Sequence, residues 1–176
     1  MSAGTRHRHT WSQSRAPTGA FASVQRLALP APVVEHSAAG ARRLGSIYWH
    51  ELGRSTFGIV RARLQPDAVE LRVLGIGPAL LRFGIPEPAV APDFVTCRYP
   101  IVGGLLVRTP GGSISFTQTA GCPVEVRSEI DGFFPRLATR RVRRGWRGVL
   151  YPQVQTRLHV ALGRRYFARL RTEAAR

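Results

Sequence analysis

From Phe94 to Leu137 the sequence reads FVTCRYPIVGGLLVRTPGGSISFTQTAGCPVEVRSEIDGFFPRL, a succession of short alternating runs cut by glycine and proline. Val95, Cys97 and Tyr99 fall on one face of a strand, with Thr96 and Arg98 on the other. Ile114 and Phe116 oppose Ser113, Ser115 and Thr117, and Val124 and Val126 oppose Glu125, Arg127 and Glu129. A period of two is the mark of a strand buried on one face. The run Gly104 to Arg108 is more apolar than its neighbours, which suits a strand covered on both faces. Gly103-Gly104, Pro110-Gly111-Gly112 and Gly121 supply the turns. Connections this short join antiparallel neighbours, since a parallel pair needs a long crossover. Pro110-Gly111-Gly112-Ser113 lacks the lysine of a phosphate-binding loop, and no helical pattern follows it.

The same alternation extends upstream. Val60, Ala62 and Leu64 oppose Arg61 and Arg63. The turn Gln65-Pro66-Asp67-Ala68 leads into Val69, Leu71 and Val73, which oppose Glu70 and Arg72. Gly75-Ile76-Gly77-Pro78 turns again into Ala79, Leu81 and Phe83. Phe21 to Leu29 reads as a strand ended by Pro30 and Pro32. Ile47 to Trp49 reads as a short strand with Tyr48 and His50 on opposite sides of the alternation from Ile47 and Trp49. In Val33 to Arg43, Gly40 favours a loop over a helix. Pro86, Pro88 and Pro92 predict an irregular connection.

At the other end Pro152 suits the first turn of a helix, where a missing N–H does no harm. Leu150, Val154, Leu158, Ala161, Leu162 and Tyr166 then form one apolar stripe, with Arg157, Arg164 and Arg171 on another face. The predicted class is α+β: a curved, mostly antiparallel β-sheet or partial barrel, of about 7–9 strands, packed on one long C-terminal helix. Residues 1–20 read as a disordered basic tail. Residues 21–176 read as a single domain with a β-rich core over 44–137, a basic connection over 138–148 and the helix over 149–172.

A curved antiparallel sheet followed by such a helix, over residues 44–172, resembles the helix-grip fold of START-like and polyketide-cyclase-like proteins. That resemblance implies an apolar ligand held between sheet and helix, with Val69, Leu71, Leu81, Phe83, Tyr99, Phe116 and Leu158 as candidate liners. The pair of helices such proteins carry after their first strand has no clear counterpart in Pro30 to Gly45, which leaves a calycin-like barrel or a two-sheet sandwich open. Tyr99-Pro100-Ile101-Val102-Gly103-Gly104-Leu105-Leu106 looks like small proteins of GC-rich actinobacteria, a likeness that implies no activity. The absence of Lys and Asn, both with A-rich codons, agrees with a GC-rich genome.

Charge separates the chain further. The net charge is +16, and every basic residue is arginine. Residues 1–43 hold six Arg and one acid, residues 44–135 eight Arg and eight acids, and residues 136–176 twelve Arg and one acid. The core is balanced, so an anionic partner meets the C-terminal region first. Arg140, Arg141, Arg143, Arg144 and Arg147, with Trp146 among them, are candidates for an anionic membrane surface. Nucleic acid is the weaker expectation, because no recognised binding motif accompanies the run.

Enzymatic signatures are sparse. His50, His159 and Tyr99 are the inward polar candidates for cyclase- or hydratase-type chemistry. Glu129 and Asp131 share a strand face with Arg127, which favours outward charge over a catalytic pair. His7 and His9 lack further ligands, and two cysteines make neither a disulfide framework nor a metal site. No metal, no cofactor and no transmembrane segment are expected. The expected location is cytoplasmic, since no apolar leader core follows the N-terminal arginines, with contact at the membrane periphery as a variant. The leading expectation is a small binding protein, against an anion-docking interaction protein and, third, an enzyme.

Overall fold

The computed structural model describes residues 9–135 and 147–175, the side chains of residues 147–160 excepted. The strands are β1 (His9–Arg15), β2 (Phe21–Leu29), β3 (Val60–Leu64), β4 (Val69–Val73), β5 (Ala79–Phe83), β6 (Glu87–Ala91), β7 (Phe94–Gly103), β8 (Ser113–Thr119) and β9 (Val124–Phe133). Helix α1 (Ala38–Ser55) lies between β2 and β3, and α2 (Arg147–Ala174) follows β9. All nine strands belong to one curved, open antiparallel sheet. Its order is β1-β2-β9-β8-β7-β5-β4-β3, with β6 beside β7.

Strand β7 is the hinge of this arrangement. It spans ten residues, pairing with β6 and β8 along its first part and with β5 near its end, where Phe83 stands opposite Ile101. The inward set is the one the alternation predicts: Val95, Cys97, Tyr99 and Ile101 on β7, Ile114 and Phe116 on β8, Val124 and Val126 on β9. The turn at Gln65 to Ala68 is also as expected, closed by a 2.8 Å bond from the Gln65 N–H to the Ala68 carbonyl.

Several local expectations are corrected. Ile47 to Trp49 is not a strand but part of α1. Ala41, Leu44, Tyr48 and Leu52 are buried at helical spacing, and Ser37 caps the first turn by accepting from the Gly40 N–H at 3.0 Å. Four residues of alternation fit either period, and only the longer window separates them. Gly40 does not break this helix. It sits where a Cβ would collide with the Glu35 carbonyl. Residues His9–Arg15, expected inside a disordered tail, pair with β2 in full register from His9 opposite Leu27 to Arg15 opposite Phe21. The proline-bearing connection contains β6, and Pro88 is tolerated there because β6 pairs with β7 alone. Gly104 to Arg108 is not a strand. Only Val107 bridges, to Pro135. Helix α2 starts at Arg147, so Pro152 lies inside it rather than opening it. Ala161, placed in the apolar stripe, is exposed, and the buried face of the described part is Leu162, Tyr166, Phe167 and Leu170.

Helix α1 packs on β3, β6, β7 and β8, and α2 packs on α1 and β2. The two helices therefore share one face of the sheet, and the core lies between them and it.

Candidate functional site

The sheet gathers the candidate liners onto its helix-covered face. Val69, Leu71, Phe83, Tyr99 and Phe116 are buried in one continuous core, and Leu81 packs half-buried against it. Cross-strand register brings them together: Val69 faces Phe83, Leu71 faces Leu81, and Phe116 faces Cys97. Leu158 belongs to α2, but its side chain lies outside the described residues.

Two residues hidden by the strand reading of residues 47–49 complete the cluster. Trp49 contacts Phe83 at 5.1 Å and Tyr99 at 5.4 Å between ring centroids. Tyr48 contacts Phe116 at 4.7 Å and Tyr166 at 5.4 Å. Tyr166 then meets Phe167 at 5.1 Å, and Phe167 meets His9 at 4.9 Å. An unbroken run of rings thus crosses the core from β5 to β1. Gly45 lets α1 approach this run, because a Cβ there would overlap the Tyr99 hydroxyl and ring.

The polar atoms in this cluster are neutral donors. Among the described residues the Tyr166 hydroxyl is buried with no hydrogen-bond partner, while the buried Trp49 indole N–H has the Tyr99 hydroxyl beside it as an acceptor. Burial holds the phenols of Tyr48, Tyr99 and Tyr166 protonated well above the usual tyrosine range. Burial likewise pushes the Cys97 thiol up, so it is an apolar filler rather than a nucleophile. At the cluster's far end burial lowers the His9 pKa, a hydrogen bond with Gln25 opposes that shift, and Arg164 and Arg171 add to it. Such a site offers donors to a neutral acceptor oxygen and no charge to an ion.

The polar residues proposed for catalysis are not brought together. Tyr99 is buried, whereas His50 is exposed on the outer side of α1. The His159 side chain lies outside the described residues, as does His7. Glu129 stands 3.5 Å from Arg127 in a partly exposed ion pair, and Asp131 is exposed, as outward charge requires. On the outer face of β4 and β5, Glu70 binds Arg72 at 2.7 Å and Arg82 at 2.8 Å. The Arg72 hydrogen bond, with Arg82 in support, lowers the Glu70 carboxyl pKa. Among the described residues no cluster of His, Cys, Asp and Glu could hold a metal ion, and no helix is long and apolar enough to cross a membrane. Cys97 and Cys122 are free.

Of the basic candidates, Arg140, Arg141, Arg143, Arg144 and Trp146 lie outside the described residues, and Arg147 is the first residue of α2.

Gln118 gave no functional signal in the sequence, yet it fixes the position of α1. Its Oε1 accepts from the N–H groups of Val33 (2.8 Å) and Val34 (3.1 Å), and its Nε2 donates to the Val34 carbonyl (2.8 Å). An inward glutamine beside Phe116 on β8 was the available clue, but its partners lie 84 and 85 residues away.

No protein-family model matches the chain, and no curated protein matches it significantly in sequence. Among solved structures it is similar to CalU16 from Micromonospora echinospora, at 15% identity and a TM-score of 0.37, over 94% of this chain and 99% of that one. It is also similar to a protein of Bordetella parapertussis solved by NMR, at 16% identity and a TM-score of 0.38, over 94% of each chain. Both likenesses are too distant to carry a ligand or an activity across.

Proposed function

We propose that this chain is a binding protein for a largely apolar small molecule held between the sheet and the C-terminal helix. The observation that carries this reading is the Tyr166 hydroxyl, buried within an aromatic cluster with no hydrogen-bond partner among the described residues. A buried donor without an acceptor costs about 1–3 kcal/mol, and an acceptor on a guest would recover that cost. The rings beneath α1 are already in contact, so the guest belongs beside Tyr166, on the α2 side of the cluster. Val69, Leu71, Leu81, Phe83, Tyr99 and Phe116 then form the wall behind the rings, and Leu158 is the liner proposed from the helix.

Native mass spectrometry of the purified chain, beside the same sample denatured, tests this reading. A discrete added mass that leaves on denaturation, and that falls in occupancy in Tyr166→Phe, supports it. A bare mass that stays bare after incubation with apolar extracts of its host cells would overturn it.

A second reading follows from the charge of residues 136–176, twelve arginines against one acid. In it the arginine-rich segment docks on an anionic surface. Deleting residues after Leu137 is a poor test, because Leu162, Tyr166, Phe167 and Leu170 supply buried core. Replacing Arg140, Arg141, Arg143, Arg144 and Arg147 by glutamine is the cleaner one. Loss of a steeply salt-dependent interaction supports docking, and unchanged binding refutes it.

A further inference from the structure

At one end of the sheet two neighbouring turns hold bulky apolar side chains in solvent. The first follows α1 and carries Phe57, 88% exposed, and Ile59, 57% exposed. The second joins β4 to β5 and carries Leu74, 56% exposed, and Ile76, 89% exposed. The Leu74 N–H donates to the Ile59 carbonyl at 2.7 Å, which ties the turns together. Arg61 lies across both. Its Nε donates to the Gly58 carbonyl at 3.1 Å, and its side chain borders the space that a Cβ on Gly58 or Gly75 would enter.

Backbone strain accompanies this exposure. Phe57 and Leu74 both stand at φ 52°, each followed by a glycine at positive φ, Gly58 at 77° and Gly75 at 80°. The left-handed region disfavours residues with a bulky side chain, and glycine would occupy either position at no such cost. Burial within the chain does not offset that cost for Phe57, since most of its surface is in solvent. Strain retained without a gain to the fold marks a side chain that serves contact with something outside.

Charge identifies what lies outside. The two turns and their flanks carry Arg54, Arg61, Arg63, Arg72 and Arg82; Glu70 pairs with Arg72 and Arg82, which leaves Arg54, Arg61 and Arg63 as the net positive charge of this end. Arg165 also reaches this end, its Nη1 donating to the Arg54 carbonyl at 3.3 Å. A protein interface takes about 20–30 residues a side, more than two turns present. Projecting apolar side chains among guanidinium groups instead match a bilayer, with acyl chains to receive the tip and phosphates at the level of the arginines.

We propose that Phe57, Ile59, Leu74 and Ile76 form a docking tip that enters the surface of an anionic lipid bilayer while Arg61 and its neighbours meet the lipid phosphates. This inference does not rest on a ligand between sheet and helix, and it assigns membrane contact to a site other than the arginine-rich segment.

Co-sedimentation of the full chain with vesicles of phosphatidylcholine alone, or with one third phosphatidylglycerol, tests it. The wild type should pellet with the anionic vesicles only. Ile76→Ser should weaken that binding, and Phe57→Gly with Ile76→Ser should weaken it by at least about tenfold. Ile76 is almost wholly exposed, so the single variant reports on docking even where the double variant melts early. Undiminished vesicle binding by both variants would overturn the proposal in favour of docking by the arginine-rich segment alone. Absent binding by the wild type would overturn it outright. A change of oligomeric mass in the variants, without vesicle binding by the wild type, would replace it with a contact between two copies of this chain.

Discussion

Tyr48 on α1 and Tyr166 on α2 meet edge to face, their centroids 5.4 Å apart and their planes at 80°. Both also contact Phe116 on β8, so one sheet residue anchors both helices. Among the described residues the Tyr166 hydroxyl is buried without a partner. Removing it as Tyr166→Phe should therefore leave stability unchanged or raise it by about 1 kcal/mol. Tyr166→Ala should lower it by about 3–5 kcal/mol through the cavity left behind. Urea denaturation distinguishes the outcomes, and a clear loss in Tyr166→Phe would mean that the hydroxyl has an acceptor.

The buried phenols also set an alkaline limit. Tyr48, Tyr99 and Tyr166 titrate above the usual range in the folded chain because burial disfavours the phenolate. Unfolded, each loses its proton near pH 10. Below that pH folded and unfolded chains bind these protons equally, and stability does not depend on them. Above it the unfolded chain holds fewer, so stability falls as pH rises, by about 1.4 kcal/mol per unit for each phenol. Ultraviolet absorbance near 295 nm should show most tyrosine ionisation coinciding with unfolding as followed by circular dichroism. Ionisation of these phenols in a still-folded chain would contradict their burial.

Two glycines of α1 should respond oppositely to alanine. At Gly45 a Cβ would overlap the Tyr99 hydroxyl and ring, so Gly45→Ala should destabilise by about 1–3 kcal/mol despite better helix propensity. At Gly53 the nearest atom to a Cβ is the Val60 carbonyl oxygen, 3.9 Å away, and Gly53→Ala should stabilise by about 0.5–1 kcal/mol. Thermal melting of the two variants side by side checks this. Equal effects would mean that Tyr99 does not pack against the helix.

The β-rich body was legible because its alternation runs through β4, β5, β7, β8 and β9 with turn residues between. Tyr99, Phe116 and Phe83 could be assigned inward from that pattern alone. Tyr48 and Trp49 could not, because four residues of alternation fit either period while the two periods give them different neighbours, and the longer window of α1 decides between them. β1 was illegible for a different reason. Its outward residues are polar, and its partly buried positions are His9 and Gln13, neither of which announces burial, while Trp11 between them is exposed. The buried Tyr166 hydroxyl was not readable in principle, since a sequence states which donors exist and not which acceptors reach them. The Phe57 and Leu74 tip was missed because an exposed apolar residue and a buried one look alike in sequence, and positive φ at a non-glycine residue has no compositional mark.

Gln118 should prove one of the most sensitive polar positions. Its side-chain amide makes three hydrogen bonds to Val33 and Val34 and thereby secures the segment that leads into α1. Gln118→Ala leaves two N–H groups and one carbonyl without those partners and should cost about 2–4 kcal/mol. Gln118→Glu keeps the acceptor but cannot donate to the Val34 carbonyl when ionised, so its loss should grow as pH rises through the carboxyl pKa. Chemical denaturation at pH 5 and pH 8 measures both effects. A Gln118→Glu variant with wild-type stability at pH 8 would show that the donor half of the staple contributes nothing.

Phe57 tests whether strain at the turn serves the fold or something outside it. Phe57→Gly relieves the left-handed backbone by about 1–2 kcal/mol and gives back about 0.5–1 kcal/mol through added freedom in the unfolded chain. The net expectation is a gain of roughly 0.5–1 kcal/mol, measurable as a higher urea midpoint. Phe57→Ala keeps a Cβ in the same region and should stay near wild type, so the difference between the two variants isolates the backbone contribution. If Phe57→Gly and Phe57→Ala are instead both clearly less stable than wild type, the phenyl ring is packed by the chain and its exposure is not available to a bilayer. A variant that melts later yet no longer sediments with anionic vesicles would be the signature of a residue kept at the expense of stability for contact with a membrane.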